Sequence, residues 1–180
     1  MKVIGIIGSP HKNGNTAQLM NELMDLLRPI FETEIIFLKD FDIKPCEGCH
    51  ICKEKETCII KDDMQKIYPK IKGSDIIILS SPSYMGGVTS RLKIFMERTW
   101  HLRSGQLENK LGTYIVVGRR KIGSVINEID EYFSRLRVIK ITGVLGFAYE
   151  KDEIFKDQEA LRDLQIVGKQ IIFWAKNISK

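Results

Sequence analysis

No stretch of this 180-residue sequence approaches the ~20 consecutive apolar residues that cross a bilayer. The opening run MKVIGIIGS stops at a glycine turn and lacks the long apolar region and small-residue cleavage site of a secretory signal, so a cytoplasmic protein without a membrane partner is expected. A basic stripe interleaved with aromatics is also missing. The cations behind the net charge of +5, among them Lys53, Lys55, Arg119–Lys121, Arg135 and Arg137, are dispersed, which argues against a nucleic-acid partner. Gly-Lys-Ser/Thr is absent where a P-loop needs it, and Gly-x-Gly-x-x-Gly is absent altogether. There is no repeat, low-complexity run or interdomain linker. Cysteine is scarce, and all four residues (Cys46, Cys49, Cys52, Cys58) fall in one short window. In a cytosolic chain such grouping points to metal or redox chemistry rather than a structural disulfide.

What is present is an ordinary globular mix, 43% hydrophobic and 28% charged, long enough to bury a core as one domain over residues 1–180. Short branched runs at Val3–Gly8, Glu34–Leu38, Asp75–Ser80, Leu111–Gly118 and within Val138–Ala148 predict buried strands. Helical spacing predicts helices over Asn15–Leu27, Met64–Ile71 (capped by Asp62 or Asp63), Thr89–His101, Val125–Leu136 and Asp157–Ile178. The third of these turns Leu92, Phe95, Met96 and Trp100 inward. The last turns Leu161, Leu164, Val167, Ile171 and Phe173/Trp174 inward. The alternation predicts an α/β, doubly wound, five-stranded parallel sheet of flavodoxin-like order 2-1-3-4-5. Between about residues 44 and 61 lies a long loop without a period.

Ligands of such sheets bind beyond the carboxyl ends of the strands. Strand one ends in Gly8-Ser9-Pro10-His11-Lys12-Asn13-Gly14-Asn15-Thr16 just before a helix. The helix N-terminus supplies unpaired N–H groups and a positive dipole end. Ser9, Asn13, Asn15 and Thr16 add side-chain donors, and a neutral His11 adds one more. This is a cradle for a monophosphate such as that of FMN, or else an ordinary capped turn. Strand three ends in Pro82-Ser83-Tyr84-Met85-Gly86-Gly87, a turn whose backbone can approach a flat ring, with Tyr84 to flank it and Met85 to pack on it. After Gly118, the cations Arg119–Lys121 either meet a phosphate or nicotinamide nucleotide or sit in water.

The cysteine spacing is C-x2-C-x2-C-x5-C. It is nearest to the ferredoxin run, with Cys58 as fourth ligand of a single [4Fe-4S] centre. Zinc, with His50 as a substitute ligand, and free thiols are the rival readings. Lys44, Lys53 and Lys55 are expected to lower the thiol pKa values. His101, beside Trp100, is assigned no catalytic role.

Together, GSPHKNGNT (Gly8–Thr16), PSYMGG (Pro82–Gly87), LKIFMER (Leu92–Arg98) and the cysteine run make the chain resemble the flavodoxin-like NADPH-dependent FMN reductases, and within them the iron–sulfur flavoproteins. The resemblance covers nearly the whole chain. It implies FMN held by Ser9, Asn13, Asn15 and Thr16 at the phosphate, by Pro82, Tyr84, Met85 and Gly86 at the ring, and by the Gly118 loop on its other side. It implies electron transfer between NAD(P)H or another small-molecule or protein donor and an acceptor, in a homodimer or homotetramer. Two departures stand out. His11 occupies a position where relatives often carry Arg, and Arg119–Ile122 interrupt a loop that usually has paired glycines. A cluster-free NAD(P)H-dependent FMN or quinone reductase and a zinc or thiol redox-sensing module are the alternatives.

Overall fold

The computed structural model describes residues 1–178. Its elements in chain order are β1 (Lys2–Ile7), α1 (Asn15–Leu27), β2 (Glu32–Phe37), the single turn α2 (Cys52–Lys55), α3 (Met64–Lys72), β3 (Ile76–Pro82), α4 (Ser90–Arg98), β4 (Leu111–Gly118), α5 (Gly123–Arg135), β5 (Ile139–Lys140), β6 (Val144–Phe147) and α6 (Gln158–Ile178). The strands form one parallel sheet of order β2-β1-β3-β4-β5, with β6 also pairing β4.

The expected fifth strand is therefore occupied by two short ones. Ile139 pairs Leu111 and Lys140 pairs Gly112, but Val144 pairs Ile115. Thr113 and Tyr114 thus face the three residues at 141–143. One extra residue bulges the edge strand, which breaks the ladder and bends the chain. The Thr113 hydroxyl donates to the Thr142 carbonyl across the break, at 2.7 Å.

Alternation along the central strands sends side chains into two separate cores. Val3, Ile7, Ile76, Ile78, Leu111, Ile115 and Val117 pack with α1 and α6 on one face. Ile4, Ile6, Ile77, Leu79 and Val116 pack with α3, α4 and α5 on the other. Right-handed crossovers put helices on both faces of the sheet and leave the loops after β1, β3 and β4 together at its carboxyl edge.

The α6 stripe runs through Leu164, Val167, Ile171 and Ala175. Phe173 and Trp174, expected inward, lie off that stripe and are 63% and 40% exposed. Once Ile171 faces the core, the next inward position on a 3.6-residue helix is four residues on, and Ala175 takes it. Trp100, also expected inward, is half-buried on the 3-10 turn Trp100–Ser104 that follows α4.

Candidate functional site

The loops after β1, β3 and β4 enclose a cleft of about 860 Å³. Buried contacts bolt its first two walls together. The Gly8 amide donates to the Ser80 carbonyl at 2.8 Å, and the Thr89 hydroxyl donates to the Gly8 carbonyl at 2.8 Å. Thr89 also caps α4 by accepting from the Leu92 amide, while its own amide donates to Ser81 Oγ at 3.0 Å. A Cβ on Gly8 would stand 2.8 Å from both Leu92 Cβ and Thr89 Oγ1, so only glycine admits this approach.

From Gly8 the chain turns through Ser9, whose hydroxyl accepts from the His11 amide at 3.1 Å. Gly14 is the N-cap of α1 and brings no side-chain cap. The first amides of α1 therefore open toward the cleft with their dipole uncompensated by a local carboxylate, the arrangement that suits an anion. Ser9, His11, Asn13, Asn15 and Thr16 all line the cleft. Asn15, however, directs its side chain elsewhere. Its Nδ2 donates to the Glu150 carbonyl at 2.8 Å and its Oδ1 accepts from the Ile154 amide at 3.3 Å. It ties the segment after β6 to α1 and leaves only its backbone amide at the helix end.

Pro82, Ser83 and Tyr84 line the opposite wall, and Gly118 the third. Ser83 is anchored by its amide to the Val117 carbonyl at 2.8 Å. Tyr84 and Gly87 exchange two 3.0 Å backbone hydrogen bonds around a tight turn. Its central residues, Met85 and Gly86, take positive φ of 50° and 80°, and the Ser124 hydroxyl donates to the Gly86 carbonyl. Met85, Gly86 and Gly87 thus form the tip of the rim, with Met85 fully exposed, rather than the cleft wall.

Sequence reasoning missed part of this wall. Lys39, Ala148, Tyr149 and Lys151 also line the cleft, and the Arg119 guanidinium sits 4.5 Å from the Tyr149 ring centroid. Of the three cations after Gly118, Arg119 alone lines the cleft; Arg120 and Lys121 are exposed. The aromatic at 149 follows the broken edge strand, where no local pattern marks a site.

A second cavity, of about 340 Å³, lies at the other end of α4. Nine helical residues at 1.5 Å each set the two ends about 14 Å apart. Cys46, Cys49, Cys52 and Cys58 all line it, together with His50, Arg98, Trp100 and His101. None of the four is disulfide-bonded, and Cys46 and Cys49 are exposed. The loop winds through positive φ at Gly48, His50 and Glu56. Burial pushes the Cys52 thiol pKa up, and the negative charge of Cys58, Cys49 and Cys46 pushes it further. The expected lowering by lysines is overturned at this residue, where burial and the neighbouring thiols, not the lysines, set the direction. Among the described residues no three His, Cys, Asp or Glu side chains converge closely enough to hold a metal. The thiols share one cavity wall with their side chains apart. Four soft sulfur donors on a single cavity nevertheless match the donor set of an iron–sulfur centre.

The His50 ring meets Trp100 edge-on at 5.4 Å, with Arg103 stacked 3.7 Å from the Trp100 centroid. His101 is buried, and burial, then the charges of Lys72 and Arg98, lowers its pKa to about 4, so the imidazole is neutral. Neither of its nitrogens makes a well-formed hydrogen bond, although the Arg98 carbonyl lies within reach, and Arg98 Nε has no partner. An arginine on the Leu92–Phe95 stripe, three residues after Phe95, was the sequence signal that something polar lay beneath this helix.

A parallel sheet with loops gathered into an anion-ready cleft at its carboxyl edge defines a flavodoxin-like α/β protein. The sequence profile of the NADPH-dependent FMN reductases matches residues 1–150, and the chain belongs to that family. It is 45% identical, over the whole of both chains, to an iron-sulfur flavoprotein of Methanocaldococcus jannaschii. It is 30% identical to an iron-sulfur flavoprotein of Archaeoglobus fulgidus, across 95% of this chain and 79% of that one. Among solved structures it is similar to a flavodoxin from the domain Archaea, with a TM-score of 0.65 and 14% identity over 98% of this chain and 99% of the other.

Proposed function

We propose that this chain is an FMN-dependent electron-transfer oxidoreductase that carries a [4Fe-4S] cluster on Cys46, Cys49, Cys52 and Cys58. The observation that carries the reading is that all four thiols line one cavity, at the far end of the helix whose near end is bolted to the anion-ready loop. The names of the relatives support it.

In this reading the α1 amides with Ser9, His11, Asn13 and Thr16 hold the flavin phosphate, and Asn15 contributes its backbone amide. Pro82, Ser83, Tyr84 and Gly118 position the ring, with Met85, Gly86 and Gly87 shielding its outer edge. Bound FMN takes electrons in pairs and releases them singly, and an iron–sulfur centre moves one at a time. The protein's own work is to hold, orient and exclude water. NAD(P)H is the proposed donor, and a small molecule or redox protein the acceptor. We place the protein in the cytoplasm and, as the family resemblance implies, in a homodimer or homotetramer.

Anaerobic purification followed by a visible spectrum with iron and sulfide analysis tests the reading. The expected result is two flavin bands with broad absorbance beyond them, and Cys49→Ser loses only the broad part. Flavin bands without iron or sulfide leave a cluster-free reductase. A colourless protein that contains zinc leaves a thiol module.

A further inference from the structure

We propose that His101, with Arg98 Nε–H beside it, donates a hydrogen bond to a sulfur of the group held by the four cysteines and thereby raises that group's reduction potential. The inference rests on the cluster reading above and adds to it a residue outside the ligand set.

Three observations converge. His101 is only 4% exposed, and neither ring nitrogen makes a well-formed hydrogen bond, although the Arg98 carbonyl is a backbone acceptor within its reach. Arg98 is 2% exposed and directs both terminal nitrogens to Asp62 and to the carbonyls of Lys44 and Ile60, but its Nε has none. Both residues line the cavity that the four thiols line, and they stand three apart, Arg98 at the end of α4 and His101 on the 3-10 turn that follows it.

Buried N–H groups are rarely left without an acceptor. The cavity wall also carries Glu47 and Glu97, but sulfur is the acceptor it supplies four times over, and a thiolate-ligated cluster is anionic. The imidazole is also held in place. The Tyr68 ring meets it edge-on at 4.7 Å, and the Ser104 hydroxyl donates to the His101 carbonyl at 3.1 Å. Hydrogen bonds to cluster sulfurs tune reduction potential, and a donor favours the more negative, reduced state. The Arg98 carbonyl, near His101, already accepts from the Tyr68 hydroxyl at 2.8 Å.

The test compares full-length, anaerobically purified wild type, His101→Leu and His101→Gln by iron and sulfide content, midpoint potential and the paramagnetic resonance of the reduced centre. His101→Leu is expected to keep its iron while its one-electron reduction equilibrium constant falls about tenfold, about 59 mV, with a shifted resonance. His101→Gln, which retains an N–H, restores most of the loss. An iron-replete His101→Leu with wild-type potential and resonance overturns the proposal and leaves the cluster reading standing. Wild type free of iron and sulfide overturns both. If His101→Leu cannot retain iron, His101→Gln decides: iron held near the wild-type potential supports the donor, and an equally iron-free protein overturns it.

Discussion

Arg98 and Asp62 form a buried ion pair, 0% and 2% exposed at their side chains, that closes both ends of the cysteine segment. Arg98 Nη1 donates to the Lys44 carbonyl at 2.7 Å and Nη2 to Asp62 Oδ1 at 3.1 Å. Asp62 in turn accepts from the Lys44 amide at 2.9 Å and the Met64 amide at 3.0 Å. Burial works against its carboxylate, but hydrogen bonds from Arg98, then from those amides, hold its pKa below the usual range. Gln65 adds bonds to the Cys58 and Ile60 carbonyls, at 2.9 and 2.8 Å. The thiol loop is thus exposed at its middle and clamped at its base.

Removing one member of this pair strands the other. Arg98→Leu is expected to lose about 3–5 kcal/mol of stability and, under the proposed cluster reading, most of its iron. Replacing both Arg98 and Asp62 by leucine should recover part of the stability, because no uncompensated charge is then buried. Urea unfolding of the three proteins reads this, and a wild-type midpoint for Arg98→Leu contradicts the clamp.

In the proposed phosphate site on the β1 loop, a carboxylate at Ser9 would face the bound anion directly. Ser9→Glu should therefore abolish FMN binding, measured by fluorescence quenching of added flavin. Asn15→Ala should behave differently, since its side chain is engaged with Glu150 and Ile154. It should lose about 1–2 kcal/mol and gain protease cleavage near Tyr149–Glu153, while FMN affinity drops far less than in Ser9→Glu. Equal losses of affinity would show that the Asn15 side-chain amide serves the phosphate after all.

Gly8→Ala puts a methyl into the contact with Leu92 and Thr89. Overpacking of this kind costs about 1–3 kcal/mol, and it also pushes the β1 loop off Thr89. A lower melting temperature together with weaker FMN binding is expected. Retention of both would mean that the two loops separate easily.

His101 links stability to pH. Its folded pKa of about 4 lies below the ordinary 6.5, so between those values the unfolded chain binds a proton that the folded chain refuses. Stability therefore falls as pH drops from 6.5 to about 4, by roughly 3 kcal/mol in all, and this contribution levels off below. In His101→Gln the stability difference from wild type should narrow across that window. A parallel pair of stability curves contradicts the assignment.

Local pattern was enough for α1 and β4, whose residue ranges coincide with those read from the sequence. The strand order follows from the alternation and from the handedness of crossovers, both local rules. The edge was harder. Val138–Ala148 reads as containing one strand, and only its pairing with β4 shows the extra residue that splits it. Phe173 and Trp174 read as core because they are apolar, but helix phase gave the inward position to Ala175.

Sequence alone determined the parallel sheet, the turn that leads from β1 into α1 and the company of four thiols, because each depends on residues close along the chain. Tertiary structure alone decided that Asn15 grips a segment more than 130 residues away, that Tyr149 and Arg119 complete the cleft, and that Arg98 and His101 lie under the cysteines. Those contacts join distant segments that share no periodicity, so they come into being only when the helices settle on the sheet.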